Sequence, residues 1–210
     1  MLRLTPVVRS LIMINVLLFV AKVIAPSQDF AYCLGGGFPY SNDIITGYLS
    51  LWNVDTDCFK PYQLFTYMFV HGGFMHIFFN MLMLAFMGPM LESYWGTKRF
   101  TTFYVVTGIG AGVFNILVYM FFGAGSFGIM MGASGAVYGI LMGIGMIFPN
   151  MEIQLLIPPI PIKAKYLVLL LGGLNFMLDS SGSVAHFAHL GGVVFAFILI
   201  TIWKGQGRIY

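Results

Sequence analysis

Ala133–Phe148 reads ASGAVYGILMGIGMIF, carries no charge, and stops at Pro149–Asn150. A continuous apolar run of this length argues for a buried helix, because strands are shorter or alternate. Its one hydroxyl at the N-terminal end is Ser134, set between Ala133 and Gly135. The surrounding chain says what kind of helix this is. It is 59% hydrophobic and only 8% charged, where an average soluble domain carries about 25% charged residues. So few charges cannot make a solvated surface, and the chain is expected to be an integral membrane protein. A β-barrel is disfavoured, since barrel strands alternate and these apolar runs do not. The net charge of +3 is too small to argue for nucleic acid.

Outward from this segment, five further apolar runs are expected to cross a bilayer: 11–25, 73–91, 100–122, 164–178 and 184–203. A span takes about 20 residues, so 210 residues hold six spans, short loops and one long loop. The expected fold is an all-α polytopic bundle forming a single domain over 1–210. Arg3 and Arg9 before an apolar run resemble a signal peptide in outline. Lys22 and Asn15 interrupt that run, however, and no small-x-small site precedes Pro26, so a retained first span is expected. The long loop, about 26–60, contains Gly35–Gly37, four aspartates and both cysteines, Cys33 and Cys58. A disulfide and two free thiols both stay open. Tyr48–Trp52 reads as a short interfacial helix. The prolines of Ile157–Pro161 forbid a helix there.

Six spans put both termini on one side, together with Arg3, Arg9, Lys98, Arg99, Lys163, Lys165, Lys204 and Arg208. Only Lys22 and Lys60 fall toward the other. Lys and Arg flank cytoplasmic ends, so the termini are expected in the cytoplasm and the long loop outside.

On this topology the second, fourth and sixth spans run in parallel from outside to inside. His76 and Asn80 then lie near the start of the second, Ser134 at the start of the fourth and His189 early in the sixth, at similar depth. The fourth span is short and is expected to begin below the outer surface, where irregular backbone is tolerated only if buried or facing a wet cavity. Gly135, Gly139 and Gly143 recur every four residues, as do Ala188, Gly192 and Ala196. Small residues at that spacing let helix backbones approach, which would bring Ser134 to His189. A serine needs a base to become a nucleophile. His189, an ionisable group within a span, is a functional candidate by default, and Tyr138 is placed to stack on it. His76 and Asn80, four apart, share a face and could donate to an oxyanion, as could the backbone N–H of Ser134 at a helix N-terminus. No aspartate is placed to complete a triad; Asp179 and His186 read as surface residues. The expected machinery is a Ser–His dyad.

In combination and in order, His76–Asn80, Gly132–Gly135 and Ala188–Gly192 resemble the rhomboid family of intramembrane serine proteases. The resemblance implies Ser134 as nucleophile, His189 as general base, and His76, Asn80 and the Ser134 N–H as oxyanion hole. It implies support from Tyr138, Gly132, Gly135 and His71, and a structural role for Glu92. Where the family often carries Trp-Arg before the second span, this chain has Tyr62–Gln63. The resemblance further implies hydrolysis of peptide bonds in or beside transmembrane segments of substrate proteins. The expected location is a bacterial cytoplasmic membrane with the site opening to the extracytoplasmic side. No metal or cofactor is called for. The alternatives are a catalytically inactive rhomboid-like protein that binds membrane helices, and a transporter lined by the four histidines. The latter lacks any clustered cysteine or carboxylate on the spans. A soluble esterase is excluded by Ala136, which breaks the Gly-x-Ser-x-Gly pattern.

Overall fold

The computed structural model describes residues 3–30, 33, 41–123, 129–154, 160–178 and 184–207. Its long helices are α1 (Pro6–Ile24), α4 (Phe74–Trp95), α5 (Thr97–Phe122), α6 (Ser134–Ile147), α7 (Ala164–Leu178) and α8 (Val184–Gly205). Each coincides with an expected apolar run to within a few residues. Among the described residues, four helices (α1, α4, α5 and α8) are long and apolar enough to cross a membrane. The 14 residues of α6 rise only about 21 Å. That helix sits at the centre, packed by α4, α5, α7 and α8.

Contacts at the helix ends fix relative directions. Glu92, near the end of α4, accepts hydrogen bonds from the backbone N–H groups of Val7 and Val8, both 3.0 Å, and from the Thr5 hydroxyl. These donors open α1 and have no acceptor within their own helix. A buried carboxylate therefore closes the N-terminus of one helix from the last turn of another, where the dipole also favours it. Trp95 and Trp203 meet edge to face at 5.5 Å, and Tyr94 meets Phe148 at 5.2 Å. The C-terminal ends of α4, α6 and α8 thus lie together. These three helices run in parallel, and α1 and α5 run against them.

The long loop is built around polar side chains that serve backbone groups. A hairpin of β1 (Ser27–Asp29) and β2 (Ser41–Asp43) leads into α2 (Ile44–Leu49), capped by the Asp43 carboxylate on Thr46 N at 2.7 Å. The expected helix at Tyr48–Trp52 therefore lies earlier. The chain leaves the helix at Ser50, and Leu51 forms an isolated antiparallel bridge with Met130. Asp43, a natural N-cap, is the signal for the true start. A second short pair, β3 (Glu152–Gln154) with β4 (Pro161–Lys163), was also not anticipated.

Gln63, in the short helix α3 (Gln63–Thr66), holds the loop by all its polar valences. Its amide donates to the carbonyls of Tyr48 and Cys58, and its oxygen accepts from the N–H groups of Lys60 and Trp52. Cys33 and Cys58 are joined in a disulfide packed against Phe30 and Trp52. Asp179, read as a surface residue, lies outside the described residues, as does Arg208. His186, read as a surface residue, is half-buried in the first turn of α8.

Candidate functional site

The site begins with a bend that only glycine fits. Gly132 has φ +122, a region strained for any side chain, and its N–H donates to the Tyr67 carbonyl at 2.9 Å. A methyl group there would lie 2.6 Å from His76 Nε2 and 3.8 Å from Ser134 Oγ. Glycine thus leaves the imidazole and the hydroxyl facing one small space. Four residues upstream of Ser134, Met130 exchanges two backbone hydrogen bonds of 2.9 Å with Leu51 of the long loop. Ser134 opens α6, with Ala133 as the capping residue, so its N–H has no acceptor within the helix.

Two histidines and an asparagine flank this turn on the α4 side. His76 Nδ1 accepts from Gly72 N at 3.4 Å. In a neutral ring that leaves the proton on Nε2, the nitrogen facing Gly132 and Ser134. Asn80 is buried, and its amide gives one hydrogen to the His76 carbonyl at 2.8 Å; an amide nitrogen carries two. His71 is buried, and its ring meets that of His76 edge to face at 5.0 Å. Its Nε2 accepts from the N–H of Ala133 at 3.4 Å. The proton must then sit on Nδ1, which faces the Phe69 carbonyl without closing to hydrogen-bond geometry. Burial first, then His76 and Lys22, push the His71 pKa down to about 3, so the ring stays neutral and keeps its acceptor.

The α8 side arrives by backbone contact. A methyl on Gly192 would lie 1.9 Å from the Gly135 carbonyl oxygen, and one on Gly135 would lie 3.6 Å from the Ala188 carbonyl. Ser134 and His189 each adjoin one of these touching residues. The His189 ring stacks on Tyr138 at 4.2 Å with an interplanar angle of 16°. The glycine stripe itself faces mostly elsewhere: a methyl on Gly135 would lie 2.5 Å from the Ala111 side chain of α5, Gly139 packs on Thr107 of α5, and Gly143 on Leu91 and Phe103. The stripe on α6 therefore serves α5 and α4 as well as α8, a correction to its expected use. Behind the serine, the buried Tyr67 hydroxyl donates to the Gly108 carbonyl at 2.6 Å.

Two contributors carried no motif. Gln63 makes contacts that no local pattern reveals. Lys22 had one signal, as a cation on the side away from most others; its Nζ donates to the His71 carbonyl at 2.8 Å.

Comparison with known proteins gives the arrangement a lineage. A family model described as "Rhomboid domain" matches residues 59–205. RHOMBOID-like protein 1 of Arabidopsis thaliana is 31% identical over 140 residues, covering 67% of this chain and 34% of that protein. Rhomboid protein 1, mitochondrial, of Saccharomyces cerevisiae is 30% identical over 126 residues, covering 59% of this chain and 36% of that protein. The putative rhomboid protease YdcA of Bacillus subtilis is 28% identical over 161 residues, covering 75% and 72% respectively. The match spans about a third of the plant and yeast relatives. The family model takes in the long loop's end, the serine turn and all of the helices from α4 to α8, and with its apolar helices the chain is an integral membrane protein that belongs to the rhomboid family.

Proposed function

We propose that the chain is an intramembrane serine endopeptidase acting by a Ser134–His189 dyad on membrane-protein substrates. The observation that carries this reading is the shared space at Gly132, faced by Ser134 Oγ and His76 Nε2, with α8 pressed onto Gly135. Ser134 Oγ attacks the scissile carbonyl carbon while the His189 imidazole takes its proton. Negative charge develops on the carbonyl oxygen. His76 Nε2–H, the remaining Asn80 hydrogen and the Ser134 N–H are the donors for it. The tetrahedral intermediate collapses as His189 passes its proton to the leaving amine, giving an acyl-enzyme. Water, deprotonated by His189, then releases the acid and restores the serine. Tyr138 holds the imidazole plane through both steps, and Gly192 allows the approach of α8 to the Gly135 backbone.

The proposal includes a single domain over 1–210, with α1, α4, α5, α6, α7 and α8 as six spans. Arg3, Arg9, Lys98, Arg99, Lys163, Lys165 and Lys204 gather at the end of the bundle that holds the C-termini of α4, α6 and α8. Cation flanking assigns that end to the cytoplasm and the serine turn to the opposite side. The high coverage of a bacterial relative supports a bacterial cytoplasmic membrane. A fluorescent protein fused after Tyr210 should fluoresce, and alkaline phosphatase at the same point should stay inactive.

The deciding experiment uses purified chain in detergent or bicelles. Ser134→Ala should abolish both fluorophosphonate labelling and cleavage of a transmembrane model substrate. His189→Ala should abolish cleavage while the protein stays folded. Cleavage retained by Ser134→Ala rejects the reading.

A further inference from the structure

Lys22 is, with Lys60, one of the two cations that the charge distribution leaves unexplained. It stands in the last turn of α1, at the end opposite most other Lys and Arg residues. A lysine near a helix end ordinarily extends its ammonium into water. This one turns inward, with its side chain 16% exposed and that of its ion-pair partner Asp43 11% exposed. The Lys22 Nζ–Asp43 Oδ2 distance is 3.8 Å, and the same ammonium donates to the His71 carbonyl at 2.8 Å. From His71 the contacts continue: its ring receives the Ala133 N–H and lies against the ring of His76. Ala133 precedes Ser134, and His76 Nε2 faces the serine turn.

We propose that Lys22 is a positioning residue for hydrolysis: by clamping the His71 backbone it sets the Ala133–Ser134 turn and the His76 donor. This deepens the Ser134 protease reading and rests on it. Asp43 has two tasks on separate oxygens. Oδ1 caps α2 by accepting from Thr46 N, and Oδ2 pairs with the ammonium. The outer end of α1 and the long loop thereby meet on the residue that orients the nucleophile's turn.

Full-length Lys22→Met, Lys22→Arg, Asp43→Asn and Ser134→Ala proteins, in one detergent, supply the test. The readouts are kcat and KM on a transmembrane model substrate, fluorophosphonate labelling and Tm. Losing a charge-assisted hydrogen bond that acts on the transition-state geometry lowers kcat about tenfold or more. Lys22→Met should show that loss with KM within about twofold. Lys22→Arg, which restores charge and donors, should recover most of it. Asp43→Asn keeps the cap on α2 but not the ion pair, and should lower kcat about threefold. Wild-type kcat in Lys22→Met overturns the proposal. So does a loss that merely tracks the unfolded fraction and is not recovered by Lys22→Arg. If Lys22→Met does not fold, Asp43→Asn decides, and unchanged kcat there overturns the proposal. Labelling that persists in Ser134→Ala instead rejects the protease reading itself, whatever Lys22 does.

Discussion

Replacing Gly192 by alanine should separate catalysis from folding. The added methyl would sit 1.9 Å from the Gly135 carbonyl oxygen, which is backbone and has no rotamer to yield. Side-chain carbons essentially never come within 3.0 Å of a neighbour, so α6 and α8 must part by at least about 1.1 Å. Overpacking of this kind costs about 1–3 kcal/mol, equivalent to a Tm lower by roughly 2–12 °C in a chain of this size. The kinetic cost should be larger. The proposed nucleophile, Ser134, directly precedes Gly135 on one helix, and the proposed base, His189, lies three residues before Gly192 on the other, so the displacement falls on the distance between them. A misplacement of about 1 Å costs on the order of 10²-fold in rate. We expect kcat for a transmembrane substrate to fall about a hundredfold at a temperature where the variant remains folded, with fluorophosphonate labelling slowed in parallel. Gly205→Ala is the control, on the same helix with nothing within 4 Å of the added carbon. A Gly192→Ala protein with kcat within threefold of wild type would refute the reasoning about how the two helices present the dyad.

Three further outcomes follow from the same geometry. Glu92→Ala strips three donors at the start of α1 of their acceptor and should lower stability by about 1–3 kcal/mol, read as Tm, while kcat per folded molecule changes little. Reduction of Cys33–Cys58, or Cys33→Ser with Cys58→Ser, opens a loop of sequence separation 25 and should cost about 2–4 kcal/mol, read as Tm with and without reductant. Acid should destabilise the protein through His71. Its native pKa is about 3, against about 6.5 unfolded, so between those values the unfolded chain binds a proton that the native chain refuses. Stability should therefore fall as pH drops below about 6.5, by at most about 1.4 kcal/mol per unit from this residue. His71→Gln should flatten the Tm–pH curve over that window.

The elements that sequence reading located well are those whose signal is local and continuous. An uninterrupted apolar run and a terminal proline place α6 to within one residue of Ala133–Phe148. The family resemblance carried by His76–Asn80, Gly132–Gly135 and Ala188–Gly192 agrees with the family match. Readings failed where a contact reaches across the chain. The helix sought at Tyr48–Trp52 is displaced because Leu51 pairs with Met130, 79 positions later in sequence. The glycine stripe on α6 has the right period for close packing, but period alone does not say which neighbour each glycine receives. Gly139 and Gly143 turn out to face Thr107, Leu91 and Phe103. Gln63 and Lys22 act on backbone carbonyls and N–H groups, which every residue possesses, so no sequence pattern marks their partners.

The ties at the two tips of α1 have a consequence for how this helix tolerates change. Glu92 secures its first turn and Lys22 its last, while Met13, Ile14, Val16, Leu17 and Val20 between them are exposed. In a bilayer those side chains meet acyl tails, which do not discriminate one aliphatic shape from another. Mutational drift along α1 should therefore be permissive at these middle positions, within apolar residues, and restrictive at either end. Asn15, buried and donating to the Leu11 carbonyl, is the interior exception.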